Sequence, residues 1–189
     1  AFRRLPRSGG GTRELRACCP NVRIGVGLHP QLIGKPVADL SMFSKLVKDA
    51  RFIGEVGLDA GPVYYKSLEA QKEIFSEVLR LCVAAGPKVL SLHCVRAHKQ
   101  LFDLIDRHWH DSAGTLVLHW FSGGRIDAKR ALERGCYFSI NPATESSATG
   151  SRVLEILPID RLLTETDGPF TTSSPNTQRS PGDVMSATR

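Results

Sequence analysis

Six short apolar runs recur along the chain, each ending on a polar, chemically capable residue: VRIGVGLH (22–29), RFIGE (51–55), KVLSLH (88–93), TLVLH (115–119), CYFSIN (136–141) and LLTETD (162–167). Near-continuous runs of Leu and β-branched residues are the pattern of strands buried on both faces. Between them the apolar spacing lengthens to that of a helix. It is clearest over 67–85, where Leu68, Phe75, Val78, Leu79, Cys82 and Val83 share one stripe while Lys72, Glu73, Glu77 and Arg80 face away. Ser67 stands where a helix N-cap is needed, Glu69 falls in the first turn where the helix dipole favours an anion, and Gly86-Pro87 supplies a stop. Fainter periodicity predicts helices at 38–49, 97–109, 125–134 (with Gly135 as its stop) and 149–157, the last ended by Pro158.

Strand and helix alternate strictly, with connections long enough for parallel crossovers, which predicts an α/β fold built on a parallel sheet. An open doubly wound sheet is expected to carry a Gly-rich phosphate loop after its first strand, and neither GxGxxG nor GxxxxGK[ST] occurs. Reactive side chains at the C-terminal ends of several strands instead predict a TIM-type (β/α)8 barrel. Such a barrel typically takes about 250 residues, so six strands in 189 residues predict an incomplete one that lacks its first strand or two. Residues 22–170 are expected to form this partial barrel. Residues 1–21 show neither period and are expected to be a disordered or non-native leader, and the Ser, Thr and Pro-rich stretch 171–189 a loose tail.

The net charge of +6 suggests nucleic acid until it is apportioned. Residues 1–21 hold five Arg against one Glu, 168–189 contribute +1, and the body between them is left with only +1. Electrostatics alone therefore neither support nor exclude DNA, because a footprint requires Lys and Arg clustered on a folded face. Five cysteines without CxxC spacing point to reduced thiols, with Cys82 and Cys136 as small core residues, and not to a disulfide framework or a Cys-type zinc site. No apolar run reaches the roughly 18 to 20 residues of a membrane span, and no signal-peptide pattern is present, so a cytoplasmic protein is expected.

If the six strands are successive staves, Glu55, His93, His119 and Asp167 meet at one mouth of the barrel. Each residue alone reads more readily as a structural side chain. Together, imidazoles and carboxylates at neighbouring strand ends form a donor set suited to zinc, manganese or another divalent cation, since ionisable side chains are seldom buried unless paired or metal-bound. His108 and His110 flank Trp109 at the end of a predicted helix, on the wrong face of a barrel, and His98 falls in that helix's first turn. All three are read as surface or packing residues.

The motifs GLHP (27–30), GEVGLD (54–59), LHWFSG (118–123) and ETDGPF (165–170), in this order and spacing, resemble the TatD family of metal-dependent deoxyribonucleases. GLHPQL, the VRA after Cys94, HWFSG and ETDGPF are most similar to the TatD-like subunit of Qat anti-phage defence systems. The resemblance implies a TIM-type barrel holding one or two divalent ions bridged by Glu55, with His93 and His119 completing one metal's set. Asp167 would serve the other metal and act as general base, and His29 would lie near the phosphate. In the wider superfamily a lysine often bridges the metals, but Lys88 begins its strand, so Glu55 takes that place. Departures from the family pattern are the missing His-x-His of a first strand and the Arg three residues after His93 (Arg96) where relatives carry it two residues on.

The expected function is hydrolysis of DNA phosphodiester bonds by a metal-activated water, with DNA as substrate and other defence-system subunits as further partners. Arg96, Arg125 and the Trp120–Gly124 loop are candidate substrate contacts, Trp120 by stacking on a base, although the loop reads equally as a packed rim turn. Two other functions remain open: a catalytically impaired binding or scaffold subunit, and a superfamily hydrolase of small esters or amides.

Overall fold

The computed structural model describes residues 23–35, 39–167, 172–174 and 177–178. The expected leader over 1–21 and most of the expected tail lie outside them, as do Gly168, Pro169 and Phe170 of the ETDGPF motif. Five parallel strands, β1 (Phe52–Asp59), β2 (Lys88–Val95), β3 (Gly114–His119), β4 (Tyr137–Ile140) and β5 (Leu162–Thr164), lie side by side in chain order. The connections carry helices α2 (Leu68–Ala84), α3 (His98–His108), α4 (Arg125–Glu133), α5 (Pro142–Ser146) and α6 (Ala148–Leu154), and α1 (Leu40–Leu46) precedes β1. Sequential parallel order with a helical crossover at every step is the repeat of a (β/α) barrel. Within the expected tail, β6 (Thr172–Ser174) and β7 (Thr177–Gln178) form a separate antiparallel pair.

The two faces of the sheet divide the chemistry. Leu90 and Leu92 of β2, Leu116 and Leu118 of β3 and Phe138 of β4 are buried with Phe75 and Leu79 of α2 and Leu101, Phe102 and Ile105 of α3. Successive side chains of a strand point to opposite faces, so His93 shares its face with Ser91, and His119 with Val117, away from that Leu layer. The helical stripe read from the sequence is the buried one, with Phe75, Val78, Leu79 and Cys82 all inside. The thiols of Cys82, Cys94 and Cys136 are buried, and burial pushes each up to about 12, as expected of inert core residues. Among the described residues no helix is long and apolar enough to cross a membrane.

Four expectations need correction. Among the described residues of the run 22–29 no strand forms; Val26 makes an isolated bridge to Ile53, through Val26 N–H to Phe52 O (3.0 Å) and Gly54 N–H to Val26 O (2.9 Å). Its flanking Gly25 and Gly27 offer no side chains to pack, and Pro30 opens a 3-10 turn (Pro30–Leu32). The strand expected to end at Glu55 continues to Asp59, across a register shift between Ile53 and Val56. The run 136–141 stops at Ile140 because Asn141 caps α5, accepting the N–H groups of Ala143 and Thr144 ahead of Pro142. Ser67 does stand at the start of α2, but its hydroxyl donates to Tyr64 O and accepts from Gln71 and makes no capping bond.

Gly57 lets β1 run on to Asp59. Its φ is +138°, and a Cβ there would lie 2.1 Å from the carbonyl oxygen of His93 on β2. Gly57→Ala is therefore expected to force the β1–β2 ladder apart and to destabilise the chain by about 2–3 kcal/mol, read as a lowered midpoint in thermal or urea unfolding. An unchanged midpoint would mean that the two strands do not approach this closely.

Candidate metal centre

Parallel strands bring their C-terminal ends to one rim. The register aligns His93 of β2 with His119 of β3 as direct neighbours, and Gly57 of β1 with His93. The displacement between Ile53 and Val56 is a local irregularity of the kind that re-aims a side chain, and it falls at Glu55. The Glu55 carboxylate is the common centre: one oxygen, Oε2, lies 3.2 Å from His29 Nε2, 3.4 Å from His93 Nδ1 and 3.6 Å from His119 Nδ1. Asp167, just past β5, has Oδ1 3.7 Å from His119 Nε2. The four residues read from the strand ends thus share one neighbourhood, and His29 joins them with its ring in edge contact with that of His93, centroids 4.5 Å apart.

Two carboxylates missing from the expected set complete the neighbourhood. Asp59, the last residue of β1, is 2% exposed and its Oδ2 lies 3.1 Å from His93 Nε2. Glu165, whose N–H donates to Ile140 O, has Oε2 3.0 Å from His119 Nε2 and also contacts the Ser139 hydroxyl and Asn141. Both imidazoles therefore lie between Glu55 on one ring nitrogen and a second carboxylate on the other. A signal for each was present: Glu165 stands two residues before Asp167 and so shares its face in extended chain, and Asp59 closes the GEVGLD motif.

The remaining candidates divide. Arg96 is exposed just beyond β2 with a left-handed backbone (φ +54°), and no partner for its guanidinium occurs among the described residues. Trp120, half-buried just beyond β3, is also left-handed (φ +39°). Its neighbour Phe121 is core, 5% exposed and packed edge-on against His98 and Phe138. Arg125 is engaged by Arg152 O and the Glu155 carboxylate. His110 is exposed and bonds Ser112, His108 is half-buried, and His98 is a buried packing residue, so none of the three reaches Glu55.

The electrostatics follow from this crowding. Burial raises the Glu55 pKa, but hydrogen bonds from His29 and His93 and the neighbouring His119 outweigh it and hold the carboxyl well below its usual range. Burial disfavours an imidazolium at His93, yet Asp59 and Glu55 outweigh it and push the ring up to about 9. For His119 burial prevails and lowers the pKa. Glu165 is pushed up to about 8 by burial and by the charge of Asp167, and Asp167 is itself raised by burial. Glu55 and Asp59 are thus held ionised against the imidazoles, beside two acids, Glu165 and Asp167, that resist ionisation.

This donor set fits a divalent cation. An ion holding nitrogen and oxygen donors at about 2.0–2.2 Å in a tetrahedron sets neighbouring donors roughly 3.3–3.6 Å apart, and the separations from Glu55 Oε2 to His93 and His119 are 3.4 and 3.6 Å. Two groups, His29–Glu55–His93 and Glu55–His119–Asp167, each bring their ligand atoms within 4.8 Å of one another, with Glu55 common to both. His29 stands apart chemically. Its Nδ1 accepts the N–H of Gln31 at 3.3 Å, so the proton lies on Nε2, which donates to Glu55.

The fold and donor set define a partial (β/α) barrel with a metal-competent rim, the class of the metal-dependent hydrolases. The chain belongs to the TatD related DNase family, whose sequence profile matches residues 11–188. It is 39% identical over 121 residues to the 3'-5' ssDNA/RNA exonuclease TatD of Cronobacter turicensis, covering 62% of this chain and 45% of that protein. It is 28% identical over 117 residues to the deoxyribonuclease Tat-D of Schizosaccharomyces pombe, covering 62% and 37%. The chain thus matches less than half the length of these relatives. The crystal structure of the TatD homolog YJJV from Escherichia coli superposes with a TM-score of 0.74 at 24% identity, over 93% of this chain and 71% of that one, which shows the TIM-barrel fold.

Glu165 supplies a pH test. Its pKa lies at about 8, above its ordinary 4.5, so the folded state holds that proton more tightly than the unfolded chain. The associated stability is complete below pH 4.5 and is lost as pH rises through about 8. Glu165→Gln, which mimics the protonated acid, is expected to match the metal-free wild type in melting temperature at pH 5 and to exceed it by several degrees at pH 9. Equal melting temperatures at both pH values would show that Glu165 is not held in this acidic neighbourhood.

Proposed function

We propose that this chain is a metal-dependent hydrolase of DNA phosphodiester bonds, working on single-stranded substrate. The observation that carries the proposal is the convergence of three imidazoles on one Glu55 oxygen, at 3.2–3.6 Å, at the strand-end rim of a chain in a family of DNases. The names of the curated relatives support the substrate class. Glu55, His93, His119 and Asp167 are the residues that would hold one or two divalent ions. When bound, such ions lower the pKa of a water and neutralise charge on phosphoryl oxygens.

The residues themselves divide the remaining work. Asp167 accepts the proton from the attacking water, a role that a carboxyl with a raised pKa suits better than Glu55, whose carboxyl is held strongly ionised. His29, whose Nε2–H points at Glu55, shares that N–H with a phosphate oxygen of bound substrate. Arg96 supplies a charge to the backbone of the substrate, and Trp120 a ring face to a base. Glu165 and Asp59, at the far nitrogens of His119 and His93, keep these two ligands oriented. We extend the proposal to a cytoplasmic role in anti-phage defence with other subunits, supported by the similarity of GLHP, HWFSG and ETDGPF to the Qat subunit.

The test is the chain loaded with zinc or manganese and offered single-stranded DNA beside a panel of small esters. DNA cleavage is expected, abolished by chelation and reduced by two to three orders of magnitude in Asp167→Asn. Ester turnover without DNA cleavage, or cleavage that is indifferent to the chelator and to the Asp167 substitution, would overturn the proposal. For the defence role, cells expressing the chain with its genomic neighbours should plate phage less efficiently than cells carrying Glu55→Gln. Equal plating would remove that extension.

A further inference from the structure

We propose that Asp59 is the positioning residue that makes His93 present Nδ1, and not Nε2, toward the metal position, and that Gln31 and Gln71 hold Asp59 for that task. The inference rests on the metal reading of the rim and deepens it. Both oxygens of the Asp59 carboxylate are engaged by donors: Oδ1 takes the N–H of Gly61 at 2.8 Å, while Oδ2 takes Gln31 Nε2 at 2.8 Å and His93 Nε2 at 3.1 Å. An ionised carboxylate only accepts, so the ring proton of His93 lies on Nε2. In the neutral ring, Nδ1 is then left with a bare lone pair, and it faces Glu55 Oε2 across 3.4 Å. Two lone pairs in opposition repel unless a positive charge stands between them. Carboxylate, imidazole and cation position therefore form a line in which Asp59 sets the tautomer and the ring plane.

The rest of the molecule holds Asp59 in place more firmly than a strand end alone would. Gln71 of α2, 1% exposed, takes both main-chain groups of Asp59, accepting its N–H at 2.7 Å and donating to its carbonyl at 3.0 Å. The same Gln71 amide nitrogen also donates to Tyr64 O and to Ser67 Oγ, tying the β1–α2 connection to the strand end. Gln31 reaches Asp59 with its side chain and His29 Nδ1 with its main chain. One residue of the HPQ segment thus acts on the orientation of two histidines with opposite duties, His29 as a donor through Nε2 and His93 as a ligand through Nδ1.

An Asn at position 59 cannot serve both sides. With its oxygen toward Gly61, its amide donates to His93 Nε2, which forces the ring proton onto Nδ1 and aims an N–H at the metal position. Zinc titration of the full chain by calorimetry is expected to show a 10- to 100-fold loss of affinity in Asp59→Asn, with thermal unfolding in chelator confirming a folded protein. Nitrogen-15 spectra of the metal-free chain at alkaline pH, with the His93 signals assigned by their loss in His93→Gln, should show Nε2–H in the wild type and Nδ1–H in Asp59→Asn. Zinc affinity within threefold of wild type, or an unchanged tautomer, overturns the inference.

Should Asp59→Asn fail to fold, Gln31→Ala carries the test. It removes one bond to Oδ2, leaves the His93 tautomer as it was, and should weaken zinc severalfold, while unchanged affinity counts against the inference. If the wild type itself takes up no zinc, the metal reading of the rim falls, whereas the tautomer comparison still decides whether Asp59 orients His93.

Discussion

An ionised carboxylate within a buried strand loses its water and must find positive charge nearby, or it will protonate. Glu55 is in that position, and the rim around it is organised as a response. Three imidazoles converge on a single oxygen of Glu55, and two of them are backed by further carboxylates, Asp59 and Glu165. Charges of both signs are packed too densely for protons alone to balance them across the pH range. A divalent cation is the simplest resident for such a place, and the same density explains why Glu165 holds its proton to about pH 8.

The scaffold contributes by register. Parallel pairing without slippage between β2 and β3 makes His93 and His119 neighbours, although 26 positions separate their numbers. The Leu layer on the opposite face gives that register its specificity, because a slip of one residue would exchange Leu92 for His93 in the core. Beyond the strand ends, Arg96, Trp120 and Asp167 all take left-handed backbone conformations. Three non-glycine residues of this kind lie beyond the ends of β2, β3 and β5 at one rim, and such conformations persist only where the surroundings hold them.

Much of the site was legible because a barrel turns a sequence rule into a spatial one. In a parallel sheet with crossovers, the last residue of every strand goes to the same side, so strand-end chemistry can be read without knowing a single distance. Glu55, His93, His119 and Asp167 were legible in this way. Asp59 was not, because the run was read to end at Glu55, whereas the strand continues past Gly57, where β2 comes too close for a Cβ. Glu165 was passed over because one acid at the strand end sufficed for the pattern, although its parity with Asp167 placed both on one face. The helix α5 was signalled by Asn141-Pro142 and hidden by the apolar run that precedes it.

The alternation of apolar runs and helical stripes, the parallel sheet, the identity of the buried helix faces and the donor types at the rim were all determined by the order of residues along the chain. These depend on period and burial, which are local and cumulative. Which nitrogen of each histidine faces Glu55, which carboxylate backs it, and that Gln31 and Gln71 converge on Asp59 were decided only by the tertiary structure. Hydrogen-bond partnership is set by distances of a few tenths of an ångström between segments far apart in sequence, and no period along the chain encodes them.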